Sequence, residues 1–123
     1  MVMAKKILIV DNNMLMIEVM TYILINSGYE VFAACSGSEI FEQIKAEHPD
    51  LIILDARLPD ITGPEICQLI KLNKTTAMLP VIMCSGDEAA NAGLHKQGAP
   101  DDLLIKPFDI KSLLQKVAYQ LAA

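Results

Sequence analysis

The sequence predicts an α/β protein of (βα)5 form, a doubly wound parallel sheet with helices on both faces. Three observations carry this. Leu51-Ile52-Ile53-Leu54 is a continuous aliphatic run between Asp50 and Asp55, as expected for a strand buried on both faces. Ile7 to Val10 and Val81 to Cys84 repeat that pattern. Between such runs lie segments with apolar residues at helical spacing, opened by capping residues and closed by Gly or Pro.

In chain order, residues 5–10 form the first strand. A helix over 13–26 follows, with Met14, Ile17, Met20 or Thr21, and Leu24 on its apolar positions. Ser27-Gly28 ends it, because Gly accepts the left-handed conformation that helix ends favour. Residues 30–33 are a short strand. Ser36-Gly37-Ser38-Glu39 has the S-x-x-E form of a capping box. The helix behind it runs to 47, should bury Ile40, Phe41 and Ile44, and stops before Pro49.

Residues 50–55 are the central strand. Thr62-Gly63-Pro64-Glu65 is a second capping box, with Pro tolerated in the first turn. Its helix should bury Ile66, Leu69 and Ile70 and fray near Asn73. Residues 80–84 form the fourth strand. A helix from 88 or 89 to 97 has few large apolar anchors, and its Gly93 costs about 1 kcal/mol relative to Ala. It is expected to be the least stable helix. Residues 102–105 are the fifth strand. Asp109 caps the last helix, which should bury Ile110, Leu113, Leu114, Val117 and Leu121.

The 123 residues suffice for one unit with a hydrophobic core, expected over about 6–121. A formal charge of −5, from 10 basic and 15 acidic residues, offers no basic stripe for phosphates. Direct nucleic-acid binding is therefore not expected. Nothing reaches the roughly 20 apolar residues of a membrane span, and the N-terminus is too short for a signal peptide. Cys35, Cys67 and Cys84 lack metal or disulfide spacing and read as buried or half-buried free thiols of a cytoplasmic protein. His48 and His95 have no visible catalytic partner in the sequence.

The chemistry gathers at strand ends. Asp11 and Asn12 follow the first strand, Asp55 ends the third, Ser85 the fourth, and Lys106-Pro107 the fifth. In a parallel sheet these ends share one edge, where open α/β sheets place their sites.

Here the chain resembles the receiver domain of two-component response regulators. The matching motifs are Ile7 to Asp11, Asp55-x-x-x-Pro59-x-x-x-Gly63, Ser85-Gly86 and Lys106-Pro107-Phe108, spread from Lys6 to about Leu121. No one motif is decisive, but the four in order are strongly specific. The resemblance implies a flavodoxin-like sheet of order 2-1-3-4-5, which periodicity leaves open. It implies Asp55 as phosphoacceptor, with Ser85 and Lys106 completing the catalytic set. It implies Mg²⁺ (or Mn²⁺) on Asp11, Asp55 and the backbone carbonyl of Arg57, with Asn12 reaching the ion through water. A cis peptide before Pro107 would aim Lys106 inward. The implied partners are a sensor histidine kinase or phosphotransfer protein and a downstream protein target or fused output domain. No independent turnover is expected beyond metal-dependent autophosphorylation and slow autodephosphorylation.

Two departures from the family pattern bear on function. Receivers usually have two acidic residues after the first strand; here the second is Asn12, which should weaken metal binding by one charge. Leu103 stands where receivers commonly have Tyr or Phe, so no ring can report the phosphorylation state. Switching should then run from Ser85 and Gly86 through the following loop to the helix over 88–97, the fifth strand and the last helix. The coupling expected is on the order of 1–2 kcal/mol.

Other uses of the fold fit poorly. An FMN binder needs a Ser/Thr/Gly-rich loop after the first strand, and a dinucleotide site needs G-x-G-x-x-G there. Asp11-Asn12-Asn13-Met14 is neither. An aspartate-nucleophile phosphatase would want D-x-D, and position 13 is Asn. The remaining rival is a degenerate receiver-like domain that signals by contact without phosphorylation.

Overall fold

The computed structural model describes residues 3–86 and 98–122. The helix expected over 88–97 lies outside these described residues. Five strands, β1 (Lys6–Val10), β2 (Glu30–Ala34), β3 (Leu51–Asp55), β4 (Val81–Ser85) and β5 (Asp102–Ile105), form one parallel sheet in the order β2-β1-β3-β4-β5. The described helices are α1 (Met14–Asn26), α2 (Ile40–Glu47), α3 (Gly63–Leu72) and α4 (Ile110–Leu121).

The sheet divides the core into two layers, and alternation along each strand decides which layer a residue joins. Ile7, Ile9, Leu51 and Ile53 pack with Ile17, Met20 and Leu24 of α1 and with Leu113 and Val117 of α4. Leu8, Val10, Ile52 and Leu54 pack on the other face with Ile40 of α2 and Ile66, Cys67 and Ile70 of α3. Leu103, the aliphatic residue at the expected aromatic position, is buried in that second layer.

Helix ends follow local chemistry in most places. Asn13 accepts the Met16 N–H (3.2 Å), Thr62 that of Glu65 (3.3 Å) and Asp109 that of Ser112 (2.7 Å). Gly28 takes φ +95° after α1. At the end of α2 the left-handed residue is His48 (φ 51°), directly before Pro49.

Several expectations need correction. Ser36 makes no side-chain cap; residues Gly37–Glu39 form a 3-10 turn ahead of α2. Glu39 reaches back to the Cys35 N–H (2.9 Å), so half of the box survives one residue early. Phe41, Leu69 and Ile110 are exposed, because each helix meets the sheet on a narrower stripe than its apolar residues would cover. Cys35 is exposed, whereas Cys67 and Cys84 are buried.

Candidate phosphoacceptor site

The strand ends meet as the register requires. Val10 pairs with Leu54, Asp55 with Cys84, and Ser85 with Ile105, so the residues that follow or end these strands share one edge. The Lys106 N–H donates to the Ser85 carbonyl (2.8 Å), and the Ala56 N–H to the Cys84 carbonyl (2.9 Å), which ties adjacent exits together.

Asp11 is buried and locally held. Its Oδ1 accepts the Asn13 N–H at 2.9 Å, leaving Oδ2 directed at Lys106 Nζ, 3.5 Å away. Asp55, also buried, places Oδ1 3.3 Å from the same ammonium. One cation thus faces two carboxylates. Burial pushes the Lys106 pKa down, but Asp11 and Asp55 outweigh it, and the net shift is upward. Beneath them on β4, burial pushes the Cys84 thiol up to about 12; Lys106 lowers it while Asp11 and Asp55 raise it further. Cys84 is therefore a core thiol and no nucleophile.

An open cleft of about 420 Å³ lies over this cluster, lined by Asn12, Asp55, Ala56, Arg57, Ser85, Gly86 and Lys106. Ser85 is buried at its floor. The Lys106–Pro107 peptide is cis. Leu103 and Pro107 do not line the cleft: the first belongs to the core and the second follows the lysine in sequence.

Sequence reasoning missed Ala56, whose signal was its place after Asp55. It also left Gly63 without a reason. A Cβ at Gly63 would strike the Asp55 carbonyl oxygen and lie 2.7 Å from Ala56 Cα, so the start of α3 presses on the backbone of Asp55 itself. Both close atoms are backbone, so no side-chain adjustment could relieve the clash.

The donor set suits a hard divalent cation. Mg²⁺ takes oxygen ligands, usually one or two carboxylates with several waters. Two buried carboxylates that converge on one ammonium can converge on such an ion, and the cleft has room for water.

The family model of the response regulator receiver domain matches residues 7–118. This chain belongs to that family. It is a receiver domain of two-component signalling. It is 35% identical over 116 residues to the alkaline phosphatase synthesis transcriptional regulatory protein PhoP of Bacillus subtilis (strain 168), covering 94% of this chain. The match spans 48% of that relative's length. A solved structure from Chloroflexus aurantiacus J-10-fl, assigned as a response regulator, superposes with a TM-score of 0.91 at 35% identity, covering 98% of this chain and all of that one. At 22% identity, the receiver domain of sensor histidine kinase PA1611 from Pseudomonas aeruginosa PAO1 shares the fold, with a TM-score of 0.84 and coverage of 98% and 100%. That structure has magnesium coordinated in its active-site cleft. Among the described residues, no helix is long and apolar enough to cross a membrane.

Proposed function

We propose that this receiver, over about residues 6–121, accepts a phosphoryl group on Asp55 from the phosphohistidine of a sensor histidine kinase or phosphotransfer protein. One observation carries the reading: Asp11 and Asp55 converge on Lys106 beside the Ser85 strand end. A carboxylate oxygen of Asp55 forms the new P–O bond as the P–N bond of the donor breaks and the imidazole leaves. Lys106 neutralises one phosphoryl oxygen as a compact point charge, and the Ser85 hydroxyl donates to another. Such transfer depends on positioning and electrostatics rather than on proton chemistry.

Asp11, Asp55 and the Arg57 carbonyl would hold Mg²⁺ or Mn²⁺, with Asn12 accepting from a metal-bound water. The ion would neutralise charge between the acceptor carboxylate and the incoming phosphoryl group. The magnesium in the cleft of the Pseudomonas relative supports this assignment. A cytoplasmic location suits a phosphohistidine donor. The output would be a protein target or a fused output domain, reached through the Ser85–Gly86 exit and the fifth strand.

Intact-protein mass spectrometry after incubation with acetyl phosphate and Mg²⁺ tests the reading. A single phosphoryl adduct is expected on wild type and none on Asp55→Ala. An unmodified wild type would favour the contact-only receiver instead.

A further inference from the structure

The loop that leaves Asp55 is pinned at two places. At its end, the Gly63 N–H donates to the Ala56 carbonyl (3.0 Å), and α3 starts in contact with the Asp55 backbone. In its middle, Asp60 crosses to the 3-10 turn that precedes α2. Its Oδ1 accepts the Gly37 N–H and its Oδ2 the Ser38 N–H, both at 2.9 Å. Oδ1 also takes the Ile61 N–H at 3.1 Å, which squares the carboxylate to the turn.

Apolar contacts close the same junction. Ile61 and Ile66 lie against Gly37 so tightly that a Cβ there would strike Ile61 and come within 2.7 Å of Ile66 Cδ1. The N–H bond from Gly37, followed by those of Ser38 and the loop itself, outweighs the effect of burial and holds the Asp60 carboxyl below its usual range. It is therefore ionised at neutral pH. Asp60 thus supplies the cap that Ser36 does not make, from 22 and 23 residues away in sequence.

We propose that Asp60 is a positioning residue for the cation site: it clamps the 56–62 loop to the start of α2, fixing Asp55 and the Arg57 carbonyl relative to Asp11. The proposal rests on the reading above that these oxygens hold a divalent ion. Mg²⁺ requires near-ideal octahedral geometry at about 2.0–2.1 Å and discriminates against ligands that wander. Without Asp60, the middle of a loop bearing one carbonyl ligand would keep only the apolar contacts of Leu58 and Ile61, which set no carboxylate against the turn.

Mg²⁺ titration by calorimetry, paired with amide hydrogen exchange of the metal-free protein, tests this. Asp60→Ala should weaken Mg²⁺ about tenfold, the lower range for outer-sphere partners of metal ligands. It should also speed exchange at 37, 38 and 56–62. Asp60→Asn keeps an acceptor oxygen and should fall between the two. Lys71→Met breaks a comparable polar tie at the opposite edge of the sheet; it should leave Mg²⁺ affinity within about twofold of wild type, in line with the limited reach of distant substitutions. Unchanged affinity in a folded Asp60→Ala, or an equal loss in Lys71→Met, overturns the proposal. If Asp60→Ala does not fold, Asp60→Asn decides on the same criterion. A wild type that binds no Mg²⁺ at all defeats the metal reading itself, and this proposal falls with it.

Discussion

Lys71 and Lys106 stand at opposite edges of the sheet, and each faces aspartate. At the amino edge, Lys71 in the last turn of α3 lies 2.6 Å from Asp101 and donates to the Leu79 carbonyl at 2.8 Å and the Ala77 carbonyl at 3.3 Å. All three ammonium donors are used. Asp101 also accepts the Val81 N–H at 2.8 Å, so the charge pair closes the entry to β4. At the carboxyl edge, Lys106 has two carboxylates at 3.3 and 3.5 Å and, among the described residues, no carbonyl. Its side chain is 26% exposed against 12% for Lys71. The first lysine is satisfied and has no place for a ligand. The second is outnumbered by anions beside an open cleft, which suits a second cation or an arriving phosphoryl group.

The largest effect should come from Lys106→Met. Phosphoryl transfer from acetyl phosphate should slow about a hundredfold or more, as when one preorganised charge-stabilising donor is lost. Mg²⁺ should bind more tightly, because ammonium and ion compete for the same two carboxylates. Adduct formation rates and a metal titration read the two signs separately. Weaker Mg²⁺ binding would mean that lysine and metal do not share those oxygens.

Lys71→Met should have the reverse profile. Urea unfolding should show a loss of about 1–3 kcal/mol, discounted from a fully buried pair because Asp101 is partly exposed. The adduct rate should match wild type. A slowed rate would show that the two edges are coupled through the sheet.

Asn12→Asp sharpens the electrostatic side. One added negative charge near the ion is worth at least about 1 kcal/mol even at the dielectric of bulk water, or roughly fivefold or more in Mg²⁺ affinity. Calorimetry on both proteins at one ionic strength measures it, and equal affinities would remove Asn12 from the ion's surroundings.

The smallest effect concerns pH. The folded pKa of Lys106 lies above the ordinary 10.5. The stability from its charged form is therefore fully present below 10.5 and is lost as pH rises through the folded value. The urea midpoints of wild type and Lys106→Met should keep a constant difference between pH 7 and 9. That difference should change above pH 10.5 in the direction that removes the lysine's contribution. A difference that changes already below pH 9 would contradict the raised pKa.

Much of this was legible along the chain. Aliphatic runs marked β1, β3 and β4, since a strand covered on both faces has no polar positions to spare. Thr62 and Asp109 announced their helices, because capping is a bond between near neighbours; Asn13, read only as the first residue of its helix, caps α1 in the same way. Face choice was less legible. In α1, Leu15 and Ile25 are as apolar as Ile17 and Leu24, yet they are 68% and 55% exposed. A helix that is apolar on most sides carries no internal sign of which side meets the sheet.

By itself the sequence determined the order of the strands and of the described helices and the residue type at each strand exit. Those depend on periodicity and on bonds within a few positions. Strand order within the sheet, which periodicity leaves open, was reached only through the family motifs. Tertiary structure decided that Asp11, Asp55 and Lys106 meet within ion-pair distance, across separations of 51 and 95 residues. It also replaced Ser36 with Asp60 as the cap before α2. A short local bond and a distant one satisfy the same N–H equally well, and only the packed loop places the distant carboxylate there.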